Sequence, residues 1–170
     1  MSVIKHKAQR VAVLIDVQNM YHSAKNLHDA RVNFKEVIKT AVAGRELVRA
    51  IAYVIRTESG DENPFLEALT KIGIETKIKD LQIFPGGMKK ADWDVGIAMD
   101  AVKLCNRIDA LVLMSGDSDF TPLINYLHEV RGIQVEVFAF ARSTSQKLKD
   151  VIDEFTDLAS DPKKYLMRIR

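Results

Sequence analysis

The sequence predicts an α/β fold, a three-layer α/β/α sandwich around a mainly parallel central sheet. Three observations carry that expectation. Short apolar runs alternate along the chain with segments of helical periodicity. The runs at 11–15, 47–55 and 110–114 are apolar at most positions rather than at every second one, the pattern of strands covered on both faces by helices. The first and third of these runs stop abruptly at polar and acidic residues. In such sheets ligands bind beyond the carboxyl ends of the strands, where the strand order reverses, so the residues just after strands are where chemistry is expected.

Taken in order, the run at 11–15 ends in Asp16, followed by Gln18 and Asn19, and reads as a buried strand closing on an acidic tip. Helical turns are predicted at 21–27 and at 34–42, the second with Phe34, Val37, Ile38 and Val42 on one stripe. The covered strand at 47–55 follows. After a polar turn at 57–63, Pro64 stands where a helix starts, and Phe65, Leu66, Leu69 and Ile72 keep helical spacing as far as Gly73. Residues 74–79 alternate, Ile74, Thr76 and Ile78 against Glu75, Lys77 and Lys79, as on a strand near a sheet edge. Pro85, Gly86 and Gly87 make 83–90 a turn or mobile loop ending in two lysines. Helical periodicity returns over 93–104 through Ile97, Ala98, Ala101 and Leu104. The strand at 110–114 is halted by Ser115, Gly116, Asp117, Ser118 and Asp119. A helix from Pro122 to Gly132, a strand at 133–140 and a final helix over 143–155, with a short extended piece, complete the alternation.

A chain of 170 residues is expected to form one domain over 1–170, with a core at 10–158 and a basic tail at 159–170. Hydrophobic residues at 47% and charged residues at 28% exclude the disordered, collagen-like and disulfide-stapled classes. Lysine and arginine number 25 against 23 acids, so the net charge of +2 neither requires nor excludes a nucleic-acid partner. Cys105, the sole cysteine, allows no intramolecular disulfide or cysteine-rich zinc site and reads as a small buried hydrophobe. No run approaches the roughly 20 apolar residues of a membrane span, and residues 1–10 do not resemble a signal peptide. A soluble cytoplasmic protein without a membrane partner is expected.

Acidic groups recur at equivalent places: Asp16 after the first strand, Asp92 and Asp94 at a helix start, and Asp117 with Asp119 after the 110–114 strand. If they converge, each like-charged pair at about 4 Å costs about 4 kcal/mol at an effective dielectric near ~20, so a cation must compensate. Hard oxygen donors without a Cys/His cluster suit Mg²⁺ or Mn²⁺. Such an ion lowers the pKa of a bound water and neutralises charge on a phosphoryl oxygen, the machinery of phosphodiester hydrolysis. Asn19 can orient a water or ligand without adding repulsion, and Ser115 and Ser118 can donate to a carboxylate or a substrate phosphate. The competing reading is that each aspartate is a turn former or helix N-cap. It applies readily to Asp117 and Asp119 before the helix of Pro122, and less to Asp16, which has no capping box. Asp100 lies about 240° round a helix from Asp94, so the two cannot share one stripe. Either Asp94 precedes the regular helix or Asp100 stands behind the site.

The segments Ile15-Asp16-Val17-Gln18-Asn19, Asp94-Val95-Gly96-Ile97-Ala98-Met99-Asp100 and Ser115-Gly116-Asp117-Ser118-Asp119-Phe120 resemble the signature of NYN domains, specifically the LabA-like group, relatives of PIN-domain and flap-nuclease folds. The likeness covers 10–158 and extends to Leu148, Asp153 and Phe155. It implies a PIN-like sandwich with a metal-dependent ribonuclease-like site. Asp16, Asp94 and Asp117 match the metal carboxylates, Asp119 and Asn19 stand close by, and Asp100 matches a further acidic position. RNA as the substrate follows from this resemblance alone. Asp92 is an acid the pattern does not ask for, placed to substitute for Asp94 or compete with it.

A polyanion needs cations, and Lys89 and Lys90 immediately precede the acids at 92 and 94. Arg142, Lys147 and Lys149 would extend a phosphate track with Ser115, while Tyr21, His22 and Trp93 are placed to stack on single-stranded bases. Against these stand solvated surface for the lysines and core packing for Trp93. The tail cations Lys163, Lys164, Arg168 and Arg170 read as a mobile arm or a solubilising segment. The expected function is a Mg²⁺- or Mn²⁺-dependent nuclease acting on single-stranded RNA; the alternative is a non-catalytic RNA-binding or regulatory module of the same fold. A haloacid-dehalogenase-type phosphatase would need a second aspartate two residues after Asp16, where Gln18 stands. Homo-oligomer formation is left open.

Overall fold

The structure, a computed structural model, describes residues 2–60 and 62–169, and of Lys89 and Lys90 the backbone alone. The chain runs through β1 (Arg10–Asp16), α1 (Val17–His28), β2 (Ala30–Val32), α2 (Phe34–Val42), β3 (Glu46–Arg56), α3 (Asn63–Lys71) and β4 (Glu75–Asp80). A small hairpin, β5 (Gln82–Ile83) and β6 (Lys89–Lys90), leads to α4 (Asp94–Leu104) and β7 (Ala110–Met114). Then come a 3₁₀ turn at Ser118–Phe120, α5 (Thr121–Arg131), β8 (Gln134–Ala139), a second 3₁₀ turn at Ala141–Ser143 and α6 (Gln146–Lys149). β9 (Glu154–Asp157), α7 (Pro162–Tyr165) and β10 (Leu166–Arg168) close the chain.

Six strands form one parallel sheet in the order β4-β3-β1-β7-β8-β9, flanked by helices as the covered apolar runs require. Val11 to Ile15 and Leu111 to Met114 are wholly buried, so the two central strands form the middle of the core. From β1 the chain builds outward through β3 to β4; it then crosses back through α4 to β7 and builds the other way. The order therefore reverses between β1 and β7, and a crevice opens at their carboxyl ends. Parallel register sets Ile15 opposite Met114 and Asp16 opposite Tyr53, so Asp16 and Ser115 emerge side by side.

Several expectations are corrected. The helix predicted over 21–27 begins at Val17, directly on the strand tip, with Asp16 as its N-cap: Asp16 Oδ1 accepts the Asn19 amide at 3.2 Å. The absence of a capping box therefore did not exclude a capping role. The 83–90 loop contains the β5–β6 hairpin. The final helix over 143–155 is only one turn, α6, and its extended piece is the edge strand β9, whose Phe155 pairs with Val137. The basic tail is not a mobile arm over its described part, because β10 pairs antiparallel with β2, Asn33 donates its amide to the Tyr165 carbonyl at 2.7 Å, and Tyr165 is buried. Arg170 lies outside the described residues.

At the amino ends of the strands sits a buried ion pair. Arg45 donates to both oxygens of Glu136, at 2.8 and 3.0 Å, and to the Ala41 and Val42 carbonyls. Lys5 adds a second cation to Glu136 at 3.3 Å and pairs with Glu154 at 2.7 Å.

Candidate metal centre

At the opposite, carboxyl end of the sheet, Asp16, Gln18, Asn19, His22, Asp92, Trp93, Asp94 and Asp117 line a cleft of about 270 Å³. Its floor is built from the two strand tips. Asp16 uses one oxygen to cap α1 and accepts the Ser115 hydroxyl on the other at 3.3 Å. Ser115 Oγ in turn accepts the Asp117 amide at 3.3 Å. Asn19 Oδ1 accepts the Gly116 amide at 3.1 Å, which ties the first turn of α1 to the loop after β7. Asp117 Oδ1 accepts the Asp119 amide at 2.9 Å, folding that loop into the 3₁₀ turn.

The wall comes from the start of α4, where Asp94 occupies the first turn and its amide is held by Asp92 Oδ1 at 3.2 Å. Trp93 anchors this start. Its indole N–H donates to the Val54 carbonyl at 3.0 Å, its ring lies 5.3 Å from that of Tyr53, and Lys79 Nζ sits 4.3 Å from its centroid. Gly96 is needed beneath the indole, since a Cβ there would stand 2.6 Å from Trp93 Cε3. Lys79 also donates to the Asp92 carbonyl at 3.0 Å.

Asp94, Asp117 and Asp119 each offer an oxygen within 4.8 Å of the others. Among the described residues, none of the four acids that line the cleft (Asp16, Asp92, Asp94, Asp117), nor Asp119 beside them, forms an ion pair. Burial raises the Asp94 carboxyl to about 6, with Asp117, Asp16, Asp92 and Asp119 pushing the same way. Burial also raises Asp16, partly offset by the Asn19 amide and the Ser115 hydroxyl, with Asp117 and Asp92 adding to the rise.

Of the residues singled out from the sequence, Asp16, Asn19, Asp94, Asp117, Asp119 and Ser115 come together here. Asp100 does not. It is buried six positions along α4 and accepts Tyr53 Oη and Lys77 Nζ, each at 2.8 Å. Its carboxyl is held below the usual range: burial opposes this, but the Lys77 and Tyr53 hydrogen bonds outweigh it. Burial and the Asp100 contact keep the Tyr53 hydroxyl protonated by raising its pKa. The helical angle that separates Asp94 from Asp100 is the reason, with Asp94 inside the regular helix. Arg142 and Lys147 are exposed on the segment after β8, which packs on Gly116 without lining the cleft. The side chains of Lys89 and Lys90 lie outside the described residues. Trp93 lines the cleft and is also packed against the core. Leu148 is buried and Asp153 binds His128 and the Val135 amide at 2.7 Å each, so both support the fold. Tyr53, Lys77 and Gly96 were missed; only the register of β3 and β4 against α4 reveals them.

The chain matches the family model described as NYN domain over residues 10–159. It is 25% identical over 167 residues, 89% of its own length, to the low amplitude and bright protein LabA of Synechococcus elongatus, 85% of which is covered. A crystal structure of a protein of unknown function from Vibrio parahaemolyticus is similar over 97% of this chain and all of that one, with a TM-score of 0.86 at 30% identity.

Proposed function

The chain belongs to the NYN domain family, and from that premise we propose that it is a divalent-metal-dependent ribonuclease acting on single-stranded RNA. The observation that carries this reading is the carboxylate cluster at the switch point of the sheet, which has no ion-pair partner among the described residues. Three of its oxygens lie within 4.8 Å of one another, and burial and like charge raise Asp94. Ordinary folds pair or disperse such charges. Aspartate oxygens fit Mg²⁺ or Mn²⁺ in donor chemistry, and Asp94, Asp117 and Asp119 would hold the ion, with Asp16 on the floor beside them. When bound, the ion supplies charge neutralisation at a phosphoryl oxygen and a water of lowered pKa.

The residues of the chain do the rest. Ser115 and the Asn19 amide hold both Asp16 oxygens in place. Asn19, by accepting the Gly116 amide, keeps the loop of Asp117 in register with α1. Asp94, whose carboxyl burial and like charge raise to about 6, would have to be ionised to hold a cation. Asp100 serves from behind, bracing Tyr53 and Lys77 under the start of α4.

The test is end-labelled single-stranded RNA incubated with the purified chain in Mn²⁺ or in chelator, beside Asp16→Asn and Asp117→Asn. Cleavage that needs Mn²⁺ and falls at least about 100-fold in both variants is expected. Cleavage unaffected by chelator or by the variants overturns the reading. RNA binding without any cleavage transfers it to a non-catalytic RNA-binding module.

A further inference from the structure

The same turns of α1 that carry Asn19 to the cleft also present Tyr21, His22 and Lys25. His22 lines the cleft. The Tyr21 ring meets the His22 ring edge-on, with centroids 5.5 Å apart at 71°, and Lys25 Nζ lies 5.8 Å from the Tyr21 centroid. Neither ring belongs to the core, and Tyr21 leaves 46% of its surface in solvent. Core packing therefore does not account for these two adjacent aromatic rings, of which His22 lines the cleft and Tyr21 packs on its edge. Lys25 has, among the described residues, the Tyr21 ring as its contact, whereas Lys79 on the other side is engaged by the Asp92 carbonyl and the Trp93 ring.

We infer that Tyr21 and His22 form a stacking subsite for one unpaired nucleobase of the strand whose phosphate meets the carboxylates, with Lys25 taking a neighbouring phosphate. The inference rests on the nuclease reading of the cleft. The chemistry selects the ligand. A π-face is common to every base and is available only when the base is not stacked in a duplex, so the subsite is tolerant of sequence and selective for single strands. A strand entering a cleft lined by four aspartates also needs a cation beside it, and Lys25 supplies a point charge that contacts the backbone without reading bases.

The experiment measures fluorescence anisotropy of a short labelled uridine oligomer, and of an abasic oligomer with the same backbone, on the full chain carrying Asp117→Asn in Mg²⁺. The uridine oligomer is expected to bind about tenfold more tightly than the abasic one. Tyr21→Ala erases that difference and Tyr21→Phe keeps it, while Lys25→Ala weakens both oligomers alike. Because Tyr21 is outside the core, Tyr21→Ala keeps the parent melting temperature. Uridine affinity unchanged by Tyr21→Ala overturns the subsite; Mn²⁺-dependent cleavage by the unsubstituted chain then leaves the nuclease reading standing. A chain that neither binds nor cleaves either oligomer overturns both.

Discussion

Asp94 shows what a single carboxylate costs the fold. Its pKa is raised from 3.8 to about 6, first by burial and then by four acidic neighbours. The folded state therefore binds a proton more tightly than the unfolded state does. Stability is unaffected by this residue below pH 4 and falls as pH rises from 4 through 6. At full strength two pK units would amount to about 3 kcal/mol, but Asp94 is only partly buried and solvent screens it, so about 1 kcal/mol is the expected cost. In chelator at pH 7.5, Asp94→Asn should raise the urea unfolding free energy by about 1 kcal/mol, an advantage that vanishes by pH 4. Saturating Mn²⁺ should reverse the order, because the parent gains binding energy that the variant lacks. A parent that stays less stable in Mn²⁺ would show that Asp94 does not take part in ion binding.

At the scale of elements, the site depends on how the loop after β7 is pinned. Gly116 has no room for a side chain, since an added Cβ would lie 2.6 Å from Thr144 Oγ1 and 3.0 Å from the Ser143 carbonyl. The segment after β8 thus clamps the loop that holds Asp117, and Ser145 donates its amide to the Gly116 carbonyl at 3.4 Å. Gly116→Ala is expected to cost about 1–3 kcal/mol by overpacking. It should also lower Mn²⁺ affinity, measured by titration on protein that remains folded; unchanged affinity would show that the clamp does not position the acids. The sequence contained much of this arrangement. Apolar runs ending in Asp16 and in Ser115-Gly116-Asp117 mark strand tips because burial on both faces demands uninterrupted apolar residues, and the sheet brings such tips together. The start of α4 was legible from Asp92 and Asp94. Other elements left little local signal: β2 and β10 are three residues each, and β9 is legible only as a short extended piece of the final helical segment until its pairing with β8 is seen. Asp100 was separable from Asp94 by helical angle alone, but its partners Tyr53 and Lys77 come from other strands, and no spacing within α4 announces them.

Over the whole molecule, the two ends of the parallel sheet treat acidic charge in opposite ways. At the amino ends, Glu136 is fully buried and met by Arg45, Lys5 and Gln134 Nε2 at 3.0 Å. At the carboxyl ends, Asp16, Asp94 and Asp117 share a cleft, with no ion pair among the described residues. A fold that neutralises one buried acid so thoroughly gathers these half-buried acids, with no ion pair among the described residues, where the strand order reverses, the place at which a ligand's charge can enter. The contrast predicts opposite signs for one kind of change. Glu136→Gln leaves Arg45 buried with a neutral partner and should lose about 3–5 kcal/mol of unfolding free energy. Asp117→Asn keeps an acceptor for the Asp119 amide and removes one like charge, so in chelator its urea midpoint should equal or exceed that of the parent. Parallel urea titrations of the two variants in chelator check both. A marked loss in Asp117→Asn would mean that the loop needs the charge for its own folding, and the cluster would then be a structural device rather than a place held open for a cation.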